Sequence, residues 1–489
     1  MRTLELSFLT ILAMALAGVL VRRRSRTLAG LGLAALLVQV SLDTFRWQML
    51  PAYALAALIL PMAGLSRASS AKPGLSALNV IGSLALLATL IVSVALPWLF
   101  PVHLLPEPTG PYAVGTTYMH LVDSSRDELF TSEVRDARQV HVQVWYPALP
   151  RAGSPTEHYT RHARAWSRAW VEGSRLESVP FIWNHLGAVE THAHADAPPD
   201  PSAGSCPVLV FSHGTWQSWK RNTSLLQELA SHGYVVAALG HAYLTPFTLD
   251  VHGELVAFSR DHPRLRAMQD EGDDANFDAL RRALEQGAGM ERLTPLLQEY
   301  YEQTPIRAQI DQTWALDISF VLDELARSMD TPFSGLMDSN RIGVLGFSRG
   351  GTAAGLAALQ DPRIAAGVNI DGWQTGHLLG VDLDCPFLFI TGNTLRLANT
   401  YFFERSLAPV YQLTVHGARH ANFHDMALSA PVIGRLFGQL GPVDPHDIQE
   451  LAREHIRAFF DEHLRDRPST LLAQNATPYP GVRLTIRRP

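Results

Sequence analysis

An α/β fold, a mainly parallel sheet with helices on both faces set behind a block of transmembrane helices, is what this sequence predicts. Three observations predict it. Apolar residues crowd into the first hundred positions. Beyond residue 205, short apolar runs alternate with helical ones at 208–212, 225–232 and 235–239, the pattern of parallel strands joined by crossover helices. The third is a glycine-flanked serine between an apolar run and an Ala-rich one, RIGVLGFSRGGTAAGLAAL.

The chain has 489 residues, more than one typical domain of about 150. Its net charge of -6 leaves no basic surplus to neutralise phosphates, which excludes nucleic acid as a partner. Residues 4–21, 27–45, 47–65 and 75–100 form apolar runs, each of about 18 residues or more, as a helix crossing a bilayer requires. Residues 1–104 therefore read as a transmembrane region of four helices. The second run is the weakest because Asp43 lies near its end, and three spans with an interfacial helix is the alternative count. A cleaved signal peptide fits the first run poorly, since Arg22, Arg23, Arg24 and Arg26 follow it instead of preceding it.

Cations mark the first connection and, at Arg67 and Lys72, the third; the second holds only Arg46 beside Asp43. Odd connections are then cytoplasmic. With four spans both the N-terminus and the chain beyond Pro101 lie outside, so the remaining domain, residues 105–489, is expected to be periplasmic or extracellular. One span fewer inverts this placement.

Cys206 and Cys385 each precede an apolar strand, in CPVLVFSHG and CPFLFITGN. In the usual strand order of such sheets two strands separate these, a distance of about 14 Å, beyond the roughly 7 Å Cα limit of a disulfide. Both read as buried free thiols. Alternating or β-branched residues at 112–122 and 140–146 predict an opening hairpin. Two inserts interrupt the pattern: 149–205, with a helical stretch at 166–171, and 251–310, largely helical from 263 to 301. The second reads equally as a cap over an active site or as a solvated surface excursion.

The chemistry centres on Ser348. Residues 342–345 form an apolar strand, 346–350 fit G-x-S-x-G, and a helix follows. This is the nucleophile elbow of an α/β-hydrolase fold, whose glycines let the backbone turn sharply. A capping serine in a glycine turn is the plainer reading. A serine hydroxyl needs a base, and the chain order Ser, Asp, His leaves His377, His416, His420, His424, His446, His455 and His463. His420, just past the strand 411–415 in VHGARHANFHD, is the candidate, with His416 and His424 as second choices. Metal ligation by these three is disfavoured because Gly417 interrupts the helix it would need; no metal or cofactor is expected. His192 and His194 in HAHAD read as packing or capping groups.

For the acid, strand 387–391 leads into Gly392-Asn393-Thr394 without a carboxylate, while Asp382 and Asp384 precede it at the wrong end. Strand 366–370 runs directly into Asp371, which is the candidate. The oxyanion hole is expected from the backbone N–H groups of Arg349 and, in FSHGTW, Thr215, with His213 and Gly214 shaping the turn.

The passages GPYAVGT, VQVWYPA, PVLVFSHG, ELASHGYVVAALGH, GFSRGG, NIDGW and VHGARHANFHD, in this order over about residues 110–465, resemble the platelet-activating factor acetylhydrolase family, itself similar to dienelactone hydrolases. The family's FSHG loop, its elbow, its aspartate directly after the next strand and its histidine in an H-x-N-F context match 211–214, Ser348, Asp371 and His420. The resemblance implies calcium-independent hydrolysis of short acyl esters, phospholipid-derived among them. Arg349, the Thr215-Trp216 pair and the multi-span anchor depart from the pattern. Two alternatives stand beside it: other acyl chemistry on the same fold, with polyester, peptide or acyl-transfer substrates, and a non-enzymatic membrane receptor or scaffold. Oligomeric state is not legible.

Overall fold

The computed structural model describes residues 2–489 apart from 22, 24, 44, 65–76, 132–135, 172–176, 246–247, 250–254, 257–261, 272–274, 329, 375–380, 393–398 and 474–476. Leu- and Ala-rich runs with few charges form the first helices: α1 (Thr3–Leu20), α2 (Arg26–Leu42), α3 (Leu50–Gly64, entered through a 3-10 turn at Trp47–Met49) and α4 (Ala77–Leu99). Among the described residues three stretches, Thr3–Leu20, Trp47–Gly64 and Ala77–Leu99, are long and apolar enough to cross a membrane. The remaining expected span, α2, is shorter than its apolar run suggests. It has 17 residues, about 25 Å of helix, and stops at Leu42, not 45. Asp43 leaves the helix there and pairs with Arg2 at 3.1 Å.

Phe8, Leu12 and Leu16 of α1 pack against Ala52, Leu55 and Ile59 of α3, while α4 leaves Ile81, Leu84 and Ile91 exposed. The start of α1, the end of α2, the start of α3 and the end of α4 meet the rest of the chain. Arg2 donates to the Ala188 carbonyl at 3.1 Å and Trp47 Nε1 to that of Ile182 at 3.2 Å; Phe100 beyond α4 meets the Trp183 ring at 6.0 Å, and Phe45 beyond α2 lines a cavity with Arg161 and His185.

Beyond them one eleven-stranded sheet organises the chain. A hairpin of β1 (Ala113–Asp127) and β2 (Ala137–Ala148) opens it, followed by β3 (Thr156–His158), α5 (Ala163–Val171), β4 (Glu190–Ala195), β5 (Cys206–Ser212), α6 (Thr223–Ser231) and β6 (Val235–His241). A two-stranded ribbon, β7 (Thr248–Leu249) and β8 (Leu255–Val256), leads into α7 (Pro263–Asp270), α8 (Ala275–Glu285), α9 (Met290–Glu302) and α10 (Pro305–Arg327). Then come β9 (Met337–Phe347), α11 (Arg349–Gln360), β10 (Ile364–Ile370), β11 (Phe387–Thr391), α12 (Thr400–Arg405) and β12 (Val410–Val415). The chain closes with α13 (Met426–Ser429), α14 (Pro431–Leu436), α15 (Pro445–Arg465), α16 (Thr470–Ala473) and β13 (Val482–Arg487).

The spatial order is β13-β12-β11-β10-β9-β5-β6-β2-β1-β4-β3, parallel from β6 through β12. The insert 149–205 is thus partly sheet, β4 pairing parallel with β1. Successive residues of a strand face opposite sides, so Val210 and Val344 pack with Trp314 and Leu322 of α10, whereas Leu209, Phe211 and Leu345 pack with Phe459 and Phe460 of α15. Burial on both faces is why these strands read as unbroken apolar runs. Two strands, β10 and β9, separate β11 from β5, and Cys206 and Cys385 are buried and free. Segment 263–302 packs Leu265, Met268, Leu280, Leu293 and Leu297 into the core, against the reading of a solvated excursion.

Glu228 on α6 clamps the segment that follows α4. Its carboxylate accepts the Thr109 N–H at 2.8 Å and the Thr109 hydroxyl at 2.5 Å, with His232 and Arg453 close by. Burial raises its pKa, but the hydrogen bonds from His232 and Thr109 outweigh that and hold it at about 2. A carboxyl held below its unfolded value stabilises the fold above about pH 4.5, and that contribution is lost as pH falls toward 2. Glu228→Gln should therefore cost roughly 3 kcal/mol at neutral pH. Melting curves of the two proteins should converge as pH is lowered from 5 toward 2; a gap independent of pH would contradict the clamp.

Candidate active site

β9 delivers Ser348 to the edge of the sheet and α11 carries the chain away. Between them Ser348 takes φ 55° and ψ -125°, a left-handed conformation that costs a side-chain-bearing residue of order 1–3 kcal/mol. Its N–H donates to the Ile370 carbonyl at 2.8 Å. So tight a turn dictates its neighbours. A Cβ at Gly350 would stand 2.0 Å from the Ser212 carbonyl oxygen, and one at Gly346 2.1 Å from that of Gly350.

β10 ends at Asp371, also left-handed with φ 49°. The buried carboxylate accepts the Gly392 N–H at 2.9 Å on one oxygen and faces His420 Nδ1 at 2.6 Å with the other. A carboxylate can only accept, so Nδ1 carries a proton, and in the neutral ring the lone pair is on Nε2. The His420 ring stacks on Phe347 with centroids 4.6 Å apart and is 44% exposed, open to an incoming molecule. Ser348, Asp371 and His420 line one cavity of about 310 Å³, together with Thr215 and Arg349.

Other sequence candidates lie elsewhere. His416 is exposed at the end of β12. His424 is buried edge-on to Phe347, where burial pushes its pKa far below the usual value and keeps it neutral. Asp382 pairs with Arg405 at 2.7 Å. Imidazole nitrogens of His192 and His194 bond the backbone carbonyls of Leu105 and Ser154.

Tyr300, Tyr301, Arg307 and Asp311 from α9 and α10, with Trp373 after Asp371, complete the cavity wall. Tyr300 and Trp373 stack face to face, 5.4 Å apart with planes 4° from parallel. Arg349, unexpectedly polar for its place, donates to the Thr215 hydroxyl at 2.8 Å and to Asp311 at 2.6 Å. It ties the loop after β5 to α10. Sequence reasoning missed these lining residues; the Tyr300-Tyr301 pair closing an amphipathic helix was the only signal.

It also missed what supports that loop. Ser212 Oγ lies 2.8 Å from His241 Nε2, and His241 Nδ1 2.8 Å from Asp317. This string has a triad's composition, yet all three residues are 0% exposed and none lines the cavity. Burial drives His241 down to about 4, so it is neutral, donating to Asp317 and accepting from Ser212. Arg138 pairs with the buried carboxylates of Asp317 and Glu128, each at 2.7 Å, and Arg126 brings a second cation to Asp317 at 2.9 Å. The neighbouring His213 accepts the His241 N–H at Nε2, 3.3 Å, and its Nδ1 lies 2.8 Å from the Gly214 carbonyl. The turn facing Ser348 thus rests on a satisfied polar network, which is rigid where a partly satisfied one is costly.

An elbow on a mainly parallel sheet, opening into a cavity shared with His420 and Asp371, defines the class: an α/β-hydrolase, and with the comparisons that follow a carboxylic ester hydrolase. Residues 99–470 match the family model of platelet-activating factor acetylhydrolase, isoform II, and the chain belongs to that family. The platelet-activating factor acetylhydrolase of Bos taurus is 22% identical over 390 residues, covering 74% of this chain and 77% of its own. A probable 1-alkyl-2-acetylglycerophosphocholine esterase of Arthroderma benhamiae is 23% identical, over 78% of this chain and 93% of its own. A ferulic acid esterase from Streptomyces cinnamoneus superposes with a TM-score of 0.59 and 26% identity over 78% of this chain and 99% of that one.

Proposed function

We propose that the protein is a membrane-anchored serine esterase that cleaves short acyl esters, phospholipid-derived ones among them, through an acyl-enzyme on Ser348. The 2.6 Å contact between His420 Nδ1 and Asp371, in the cavity that Ser348 lines, carries this reading. With Nδ1 protonated, Nε2 takes the Ser348 proton as Oγ attacks the ester carbonyl. The oxyanion forms between the N–H groups of Thr215 and Arg349. The imidazolium returns its proton to the departing alcohol, and water, activated by the same base, frees the acid. Asp371 holds the tautomer and stabilises the imidazolium. A cavity of about 310 Å³ suits a short acyl group, and the names of the Bos taurus and Arthroderma benhamiae relatives support an acetyl ester of a glycerophosphocholine.

The same reading places α1–α4 in a bilayer, α2 as the shortest span. The starts of α1 and α3 and the ends of α2 and α4 adjoin the hydrolase domain, and the connections rich in Arg and Lys follow the opposite helix ends. By the positive-inside rule that domain is outside the cytoplasm. A reporter active only outside the cytoplasm, fused after Pro101, should be active; activity solely from a cytoplasmic reporter would reverse the topology.

Kinetics of variants on p-nitrophenyl butyrate test the chemistry. Asp371→Asn should lose about 10⁴ in kcat with little change in KM, and His420→Ala should abolish turnover, while His416→Ala and Asp382→Asn keep near-normal rates. A folded Asp371→Asn with wild-type turnover would remove the assignment.

A further inference from the structure

A second cavity, of about 590 Å³, opens where the apolar helices meet the insert 149–205. Its wall is basic: Arg46 ahead of α3, Arg161 and Arg164 before and within the start of α5, and His185 in the 3-10 turns of Pro180–Ala188, with Phe45 and Trp47 at the helix end. None of its lining residues is a carboxylate.

The polar groups around it are incompletely satisfied. Arg46 is 3% exposed; its Nη2 pairs with Glu5, but Nε and Nη1 are buried and reach no acceptor among the described residues. Buried donors without acceptors are rare and costly. His185, also 3% exposed, places Nδ1 2.9 Å from the Ile182 carbonyl, so Nδ1 holds the proton and Nε2 is a buried acceptor that meets no donor among the described residues. Burial, and then the charge of Arg46, hold this imidazole down to about 4. Glu157 neutralises Arg161 at 2.6 Å. Arg164 is exposed and makes no ion pair among the described residues, which leaves one cation uncompensated.

These groups together select a ligand with one negative charge, oxygen acceptors for Arg46 and a hydroxyl to donate to His185. A phosphodiester monoanion with a hydroxylated head meets all three requirements. Its source is indicated by the rings beside the cavity. Trp47 contacts Phe100 and Phe181 at 5.4 Å each, and Phe100 contacts Trp183 at 6.0 Å. Such a collar at the ends of apolar helices matches the headgroup level of a bilayer. We propose that this cavity binds the headgroup of an anionic glycerophospholipid of the phosphatidylglycerol type, drawn from the leaflet that faces the hydrolase domain. The inference rests on the reading of α1–α4 as bilayer helices. The bound headgroup bridges the start of α3 and the insert, fixing how the catalytic domain stands on the membrane.

The test uses the full chain reconstituted in nanodiscs of equal phosphatidylcholine and phosphatidylglycerol, with the lipids retained after transfer to detergent identified by native mass spectrometry. Phosphatidylglycerol should be enriched. Arg164→Ala, an exposed change that leaves folding intact, should weaken its retention about five-fold, and added salt should weaken it further. Equal retention of both lipids, or an unchanged preference in Arg164→Ala, overturns the proposal. Full displacement by millimolar inorganic phosphate assigns the cavity to a soluble anion and overturns the lipid source. A chain recovered outside the nanodiscs is a separate result: it contradicts the bilayer reading itself.

Discussion

The turn at Ser348 governs what the surrounding chain can be. A serine at φ 55° persists only when packing over-determines it, and here it does so through backbone approach that leaves no room for side chains. Ser212 of β5, Gly346 of β9 and Gly350 of α11 meet within van der Waals contact, so the two central strands, the crossover helix and the loop after β5 are fixed relative to one another by one junction. The order β10-β9-β5-β6 then brings the end of β10, with Asp371, and the end of β5, with Thr215, to either side of the serine.

Charge is distributed around that junction with a clear division. Behind the loop after β5, His213 and His241 are held neutral by burial, and Asp317, which His241 meets, and Glu128 are matched by Arg138 and Arg126. At the mouth, His420 is half open and meets a single carboxylate, while Arg349 faces Asp311. The buried side is closed to solvent and the mouth is open to it. Ser212, His241 and Asp317 match Ser348, His420 and Asp371 in composition but not in access: of these two sets, the second lines a cavity and the first is buried.

How much of this the sequence disclosed follows from distance along the chain. The elbow is local, a strand, five residues and a helix, and every steric demand on it is written in adjacent glycines. Asp371 was legible because it follows its strand without a gap, and the Ala366-to-Ile370 run had no rival ending in a carboxylate. The cavity wall was not legible, because Tyr300, Tyr301, Arg307 and Asp311 come from helices whose approach to Ser348 depends on packing of Leu293, Leu297 and Ile310 into the core. Nor was the Ser212-His241-Asp317 string, whose members are 29 and 76 residues apart. At α2 the hydropathy of the run concealed its early end: Asp43 finds Arg2, 41 residues away, and no local signal announces that pair.

The central claim is that one serine, at the elbow, is the nucleophile. Labelling of the full chain with a fluorophosphonate, followed by mass-spectrometric identification of the modified residue, tests it most directly. The account predicts a single adduct, on Ser348, absent after Ser348→Ala; an adduct on another serine, or none on an esterase that remains active, would contradict it.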